Sequence, residues 1–296
     1  MFENILGNEK NKNILEKSIK LNKISHSYIF GGLDGIGKKT IAKEFAKNIL
    51  CLEKQENCKC KSCIEFETNN NPDFQLIEPD DGKVKIEQIR EMQRKVAEKP
   101  IISNKKVYII DNADMMTTEA QNCLLKTLEE PPEYITIILI CTNEDNLLST
   151  IKSRCTRMYF EPINLELVKK YISEKYPNEE ISENIINLSQ GSIGKLIKLN
   201  ENKNIYENIE KIFLNMQNKD LIEIIQMSEE IYKAKEEISS ILDYMNVILL
   251  KLSKQNIKYI RCIEIVEQTK KRLKANSNYD MCIDNLLFNM TFIIHN

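Results

Sequence analysis

The sequence predicts an α/β domain built on a five-stranded parallel sheet, followed by a second half that is helical throughout. Two observations carry this expectation. Between Tyr28 and Phe160, short apolar runs alternate with stretches of helical periodicity, the pattern of βαβ units whose helices cover a mostly parallel sheet. Beyond Pro162 no strand-like run stands out, and Ile, Leu and Met recur at helical spacing as far as Leu287.

The expected strands are residues 28–30, 74–77, 107–110, 135–141 and 158–160, the third and fourth apolar enough to be buried on both faces. Ser189-Gln190-Gly191-Ser192 and the polar stretch 200–204 interrupt the helical half. The expected domains are therefore 1–162, a small helical unit at 163–205 and a larger one at 206–296.

A chain of 296 residues exceeds what one hydrophobic core usually covers, so two or three domains fit its length. Apolar residues make up 42% and charged residues 29%, with both signs interspersed and a formal net charge of -2, which excludes a disordered tail and a global basic field for nucleic acid. The first ten residues carry charges where a secretory signal needs an apolar run, and no stretch reaches the roughly 18 apolar residues of a membrane span. The expectation is a cytoplasmic protein, in which clustered cysteines read as metal ligands and not as disulfides.

Gly32-Leu33-Asp34-Gly35-Ile36-Gly37-Lys38 follows the first strand and precedes the helical pattern Ile41, Ala42, Phe45, Ala46, Ile49, the setting of a phosphate-binding loop. Gly32, Gly35 and Gly37 let backbone N–H groups curl around phosphate oxygens, the helix N-terminus adds positive potential, and Lys38 reaches the terminal phosphates. The next position in such loops is Ser or Thr, whose hydroxyl ligates Mg²⁺; here it is Lys39, with Thr40 one place late and so turned by about 100°. ATP or ADP remains a candidate ligand, but metal-assisted chemistry is not supported.

The third strand ends in Asp111, the carboxylate that holds Mg²⁺ in such sites. Hydrolysing proteins of this architecture carry a glutamate next, whereas this chain has Asn112, which lacks a basic oxygen; Asp114 is expected to point elsewhere. A helix then opens on a capping box read as Thr118-Glu119-Ala120-Gln121 and stops before Pro131-Pro132. At the end of the fourth strand Asn143 has two readings: it senses a terminal phosphate, or it caps the next turn.

Cys51, Cys58, Cys60 and Cys63 fall within thirteen residues in a polar setting, and four thiolates suit a tetrahedral, structural Zn²⁺ with no open position for catalysis. Cys123, Cys141, Cys155, Cys262 and Cys282 are scattered on helical or strand patterns and read as small core residues. The two histidines, His26 and His295, form no catalytic pair.

Over roughly residues 1–200 the chain resembles the AAA+ clamp-loader family of bacterial DNA polymerase III. The residues that carry the likeness are His26-Ser27-Tyr28, the cysteine cluster, Asn71-Pro72-Asp73, the run from Leu124 through Glu129-Glu130-Pro131-Pro132, and Ser153-Arg154-Cys155. The resemblance implies an AAA+ P-loop domain with an inserted zinc module at 51–63, a helical lid and a C-terminal oligomerising collar. It implies that Arg154 acts in trans as an arginine finger on a neighbouring subunit's ATP, a role worth about 10³ to 10⁵ in rate. The implied partners are gamma/tau and delta subunits, with the sliding clamp and primer-template DNA reached through the complex. Gly194 stands where hydrolysing members carry a lid arginine. Lys39, Asn112 and Gly194 together disfavour the alternative, a hydrolysing gamma/tau-like ATPase.

Overall fold

Five strands form one sheet: β1 (Ser27–Gly31), β2 (Phe74–Ile77), β3 (Lys106–Ile110), β4 (Ile135–Cys141) and β5 (Thr156–Tyr159). Their spatial order is β2-β3-β4-β1-β5, and every neighbouring pair runs parallel. The computed structural model describes residues 1–2, 5–55, 58–177, 181–216, 218 and 220–295. All five expected strands are present. The last is displaced: β5 begins at Thr156 and leaves Phe160 outside, although the Phe160 N–H still donates to the Gly31 carbonyl at 2.8 Å.

Every residue of β1, β3 and β4 is buried. Because strand side chains alternate between faces, Val107, Ile109, Ile138 and Ile140 enter one core while Tyr108, Ile110, Ile137 and Leu139 enter another. Helices cover both faces, as a parallel sheet requires. The first core is closed by α1 (Glu9–Lys20) and by α2 (Lys38–Leu50), which contributes the expected Ile41, Ala42, Phe45, Ala46 and Ile49. After α2 comes the short α3 (Lys61–Glu67); the second core is closed by α4 (Ile86–Val96) and α5 (Thr118–Glu129). A single helical turn, α6 (Ser149–Lys152), leads into β5.

The cap of α5 lies one residue earlier than expected. Thr117, not Thr118, is the N-cap, its hydroxyl accepting from the Ala120 N–H at 3.2 Å. Gln121 is thereby released for a different task. Buried at 4% exposure, it donates to the carbonyls of Met116 and Asn146 and accepts from the Leu148 N–H, tying together the loops that leave β3 and β4.

The helical half comprises α7 (Leu165–Lys175), α8 (Glu183–Ser189), α9 (Ile193–Glu201), α10 (Lys203–Asn215), α11 (Leu221–Met227), α12 (Glu229–Lys233), α13 (Ile238–Ser253), α14 (Lys258–Lys274) and α15 (Tyr279–His295). The break after Ser189 is made by Gln190 and Gly191, with left-handed φ of 50° and 78°. The break expected at 200–204 is Asn202 alone, so a boundary at 205/206 falls inside α10. Two compact units result: Met1–Leu167 with Ser192–Gly194, and Val168–Gly191 with Lys195–Asn296. In the second unit Tyr206 and Tyr244 pack edge to face at 4.8 Å, and Glu210 accepts from both the Tyr244 hydroxyl and the Asn184 amide.

Asn71-Pro72-Asp73 has a clear structural use. The Asp73 carboxylate, 2% exposed, accepts from the backbone N–H groups of Ile101, Ile102 and Ser103, each at 2.7 Å. Asn71 donates to Ser62 on α3, and the Ser62 hydroxyl meets that of Ser103 at 2.9 Å. Removing the carboxylate strands three amide donors in a dry site. Asp73→Ala is expected to cost about 2–4 kcal/mol, measured as a lower urea midpoint with an unchanged slope.

Candidate functional site

The carboxyl ends of β3, β4 and β1 lie side by side, and the chain leaving each carries the polar groups of the site. The glycine-rich loop leaves β1. Gly32 has φ +142°, and a Cβ there would stand 2.4 Å from the Phe160 carbonyl oxygen, so glycine is required on two counts. Gly37, at φ +93°, turns the chain into α2. Lys38 is 5% exposed, and its ammonium donates to the carbonyls of Gly32 and Leu33, both at 2.6 Å. Burial pulls the Lys38 pKa below its ordinary value, while Asp34, Asp111 and Asp114 pull against that shift.

Lys39 has two acidic partners. Its Nζ lies 2.5 Å from Glu78 Oε1 and 2.9 Å from Asp111 Oδ2. Burial alone would lower its pKa, but the two carboxylates reverse the effect and hold it above the ordinary lysine value. Thr40 is exposed. Asp111 ends its strand as expected, with its other oxygen accepting from the Asn112 N–H at 3.1 Å. Asn112 sits in the left-handed region at φ 46°.

Asp114 does face away from the loop lysines' hydrogen-bonding groups: its Oδ2 accepts from the backbone N–H groups of Thr142 and Asn143, at 3.2 and 2.9 Å. It thereby holds the end of β4. Of the two readings of Asn143, capping is the one observed, its Oδ1 accepting from the Asp145 N–H at 3.0 Å. Next to it, Glu144 crowds Gly31, where a Cβ would fall 2.4 Å from Oε1, and pairs with Arg157 at 2.5 Å. Burial raises the Cys141 thiol to about 12, with Glu144 and Asp114 adding to the rise.

Gly194 is more than a missing arginine. Its N–H donates to the Gly35 carbonyl at 2.9 Å, and a Cβ would lie 2.9 Å from the Gly35 Cα. The backbone of residue 194 therefore rests directly on the phosphate loop, at a distance only glycine permits.

Arg154 stands at the end of α6 with its side chain 35% exposed. Its guanidinium pairs with Glu129 at 2.9 Å and donates to the Thr150 carbonyl at 2.9 Å and the Ser153 hydroxyl at 3.3 Å. It is a surface group held by surface partners. Cys155 packs against the core below it, and burial raises that thiol's pKa.

The four clustered cysteines converge. The Sγ atoms of Cys51, Cys58, Cys60 and Cys63 all lie within 4.8 Å of one another. A tetrahedron with metal–sulfur bonds of about 2.3 Å has edges of about 3.8 Å, so the set can hold a metal ion. Cys51 closes α2, Cys60 opens α3, and Cys63 lies in its first turn. The Cys60 N–H points at the Cys58 sulfur at 3.3 Å. Burial and the neighbouring thiols push Cys63 up; for Cys60 burial is outweighed by hydrogen bonds from the Leu52 and Cys63 backbones, which bring it to about 7. Residues 56 and 57 of this module lie outside the described residues.

Sequence reasoning missed Glu78, Gln121, Glu129 and Glu144. Glu78 had a signal: it follows an apolar parallel strand just as Asp111 does, and such positions face the crevice at the strand ends.

A parallel sheet with a glycine-rich loop and lysine after β1 and an acidic residue after β3 defines an AAA+ P-loop domain. A family profile described as "DNA polymerase III, delta subunit" matches residues 7–164. The chain belongs to that family. It is 34% identical over 201 residues to DNA polymerase III subunit delta′ of Bacillus subtilis, covering 67% of this chain and 61% of that protein. It is 36% identical over 219 residues to the gamma/tau subunit of Mycoplasma genitalium, covering 71% of this chain and 37% of that one. The chain thus spans less than two thirds of either relative. The solved structure of a DNA polymerase III gamma-subunit-related protein from Thermotoga maritima covers 95% of this chain and 99% of its own, with a TM-score of 0.57 at 20% identity, a likeness of fold.

Gly194→Ala is expected to destabilise the protein by about 1–3 kcal/mol, since the added methyl must push the loop away. Equilibrium unfolding in urea measures it, and Lys195→Ala serves as the neighbouring control.

Proposed function

We propose that this chain is the delta-prime subunit of the DNA polymerase III clamp loader, which helps place the sliding clamp on primed DNA without hydrolysing ATP itself. The observation that carries the reading is the Lys39–Asp111 pair: the carboxylate that a hydrolysing site reserves for metal is bound to an ammonium instead. Asn112 supplies no base beside it, and Gly194 brings backbone where a lid arginine would reach the phosphates.

Arg154 is the group offered to a partner. A guanidinium held on the surface by one carboxylate and two oxygens is free to exchange those contacts for the developing charge on a neighbour's phosphate. The gamma/tau subunits are its proposed recipients and the delta subunit a further partner, with clamp and primer-template DNA met through the assembly. In this reading 163–205 forms the lid and 206–296 the collar. The cysteine cluster holds a structural Zn²⁺, its four thiols leaving no position for substrate. No helix among the described residues is long and apolar enough to cross a membrane, and the proposed place of action is the cytoplasm.

Arg154→Ala is expected to cut the ATPase of the reconstituted complex at least tenfold at the site it serves, with unchanged circular dichroism of the isolated chain. Equal activity of variant and parent complexes removes the trans role. The isolated chain itself should show no turnover; hydrolysis approaching about 1 per second would establish the gamma/tau-like alternative. For the metal, elemental analysis should find one zinc per chain, lost in Cys63→Ser, and chelation should lower the melting temperature of the parent protein but not of that variant.

A further inference from the structure

The environment of Lys39 goes beyond the loss of a metal-binding hydroxyl. Glu78 directly follows β2, Asp111 directly follows β3, and Lys39 stands in the first turn of α2. One ammonium, 2.5 Å from the first carboxylate and 2.9 Å from the second, joins all three elements. In P-loop sites of the ordinary kind that junction belongs to Mg²⁺, held between the loop hydroxyl and the acidic strand end.

We propose that Lys39 is a resident cation in the divalent-metal position, which closes Asp111 to Mg²⁺ whether or not a nucleotide is present. The inference rests on the reading of this site as non-hydrolysing and deepens it. An ammonium has only N–H donors and offers no lone pair to a metal. Magnesium demands near-octahedral oxygen ligands at about 2.0–2.1 Å. To enter, it must expel the ammonium, leaving Lys39 without its two carboxylates beside a divalent charge. Lys38 cannot yield room, since its own ammonium is fastened to the Gly32 and Leu33 carbonyls on the other side of the turn. The donor set here therefore does not fit Mg²⁺, and the lysine supplies the positive charge and the cross-link between strand ends that the metal supplies elsewhere. Any nucleotide accepted by this loop is accepted as the free anion.

Manganese, a paramagnetic substitute for magnesium, tests this by electron paramagnetic resonance on the full zinc-loaded chain, with and without ADP. The parent protein is expected to show no Mn²⁺ site that depends on Asp111. Lys39→Thr, which restores a hydroxyl and removes the charge, should bind Mn²⁺ at least tenfold more tightly in the presence of ADP, and Asp111→Asn should abolish the gain. Lys39→Met removes the charge alone and is expected to show a smaller gain; it keeps the test decisive should the threonine variant fail to fold. An Asp111-dependent Mn²⁺ site in the parent overturns the proposal. So does a folded variant of either kind that binds Mn²⁺ no better than the parent. Neither outcome bears on Arg154, whose role is read from the reconstituted complex, so the two proposals fail separately.

Discussion

Burial of a parallel sheet on both faces is the constraint from which the rest of this protein follows. Every side chain of β1, β3 and β4 is spent on one core or the other, so no strand interior is available for chemistry. Polar function is confined to the residues that leave the carboxyl ends, where the backbone turns out of the sheet. Glu78, Asp111, Asn143 and the phosphate loop all occupy such positions. Gln121, Asp114 and the Gly194 backbone then fix these loops relative to one another, each through hydrogen bonds to main-chain groups.

At that edge the charges are nearly self-sufficient. Lys38 is satisfied by two loop carbonyls and Lys39 by two carboxylates, an arrangement that leaves little unbalanced field for a catalytic metal. The Lys39 pairs are partly exposed, and exposed ion pairs contribute about 0–1 kcal/mol each. Their importance lies in the position they occupy, since a modest attraction suffices to keep a carboxylate from a competing cation. Arg154 and Glu129 illustrate the opposite use of the same weakness: a loosely held guanidinium on the surface is easily surrendered to a stronger anionic partner.

The cysteine module is fastened to the sheet from below. Ser62 in α3 reaches Asn71 and Ser103, Ser103 reaches the Leu50 carbonyl at the end of α2, and Asp73 gathers the amides of the loop before β3. A metal bound by the four thiols would thus brace the exit of α2, the helix that begins with Lys38 and Lys39. The link is mechanical: two ends of one helix are held, one by thiols and one by carboxylates.

Sequence alone determined the α/β class, the five strands, the phosphate loop, Asp111 and the clustering of four cysteines, because each is written in local periodicity or short spacing. It placed the α5 cap one residue late, since Thr117 and Thr118 differ only in which hydroxyl the backbone presents to the Ala120 N–H. Tertiary structure decided what spacing cannot carry. That Lys39 meets Glu78, thirty-nine residues away, and that Gly194 meets Gly35 depends on strand order and loop docking. A substitution read along the chain says only that a hydroxyl is gone, whereas the fold shows which carboxylates the new charge has come to neutralise.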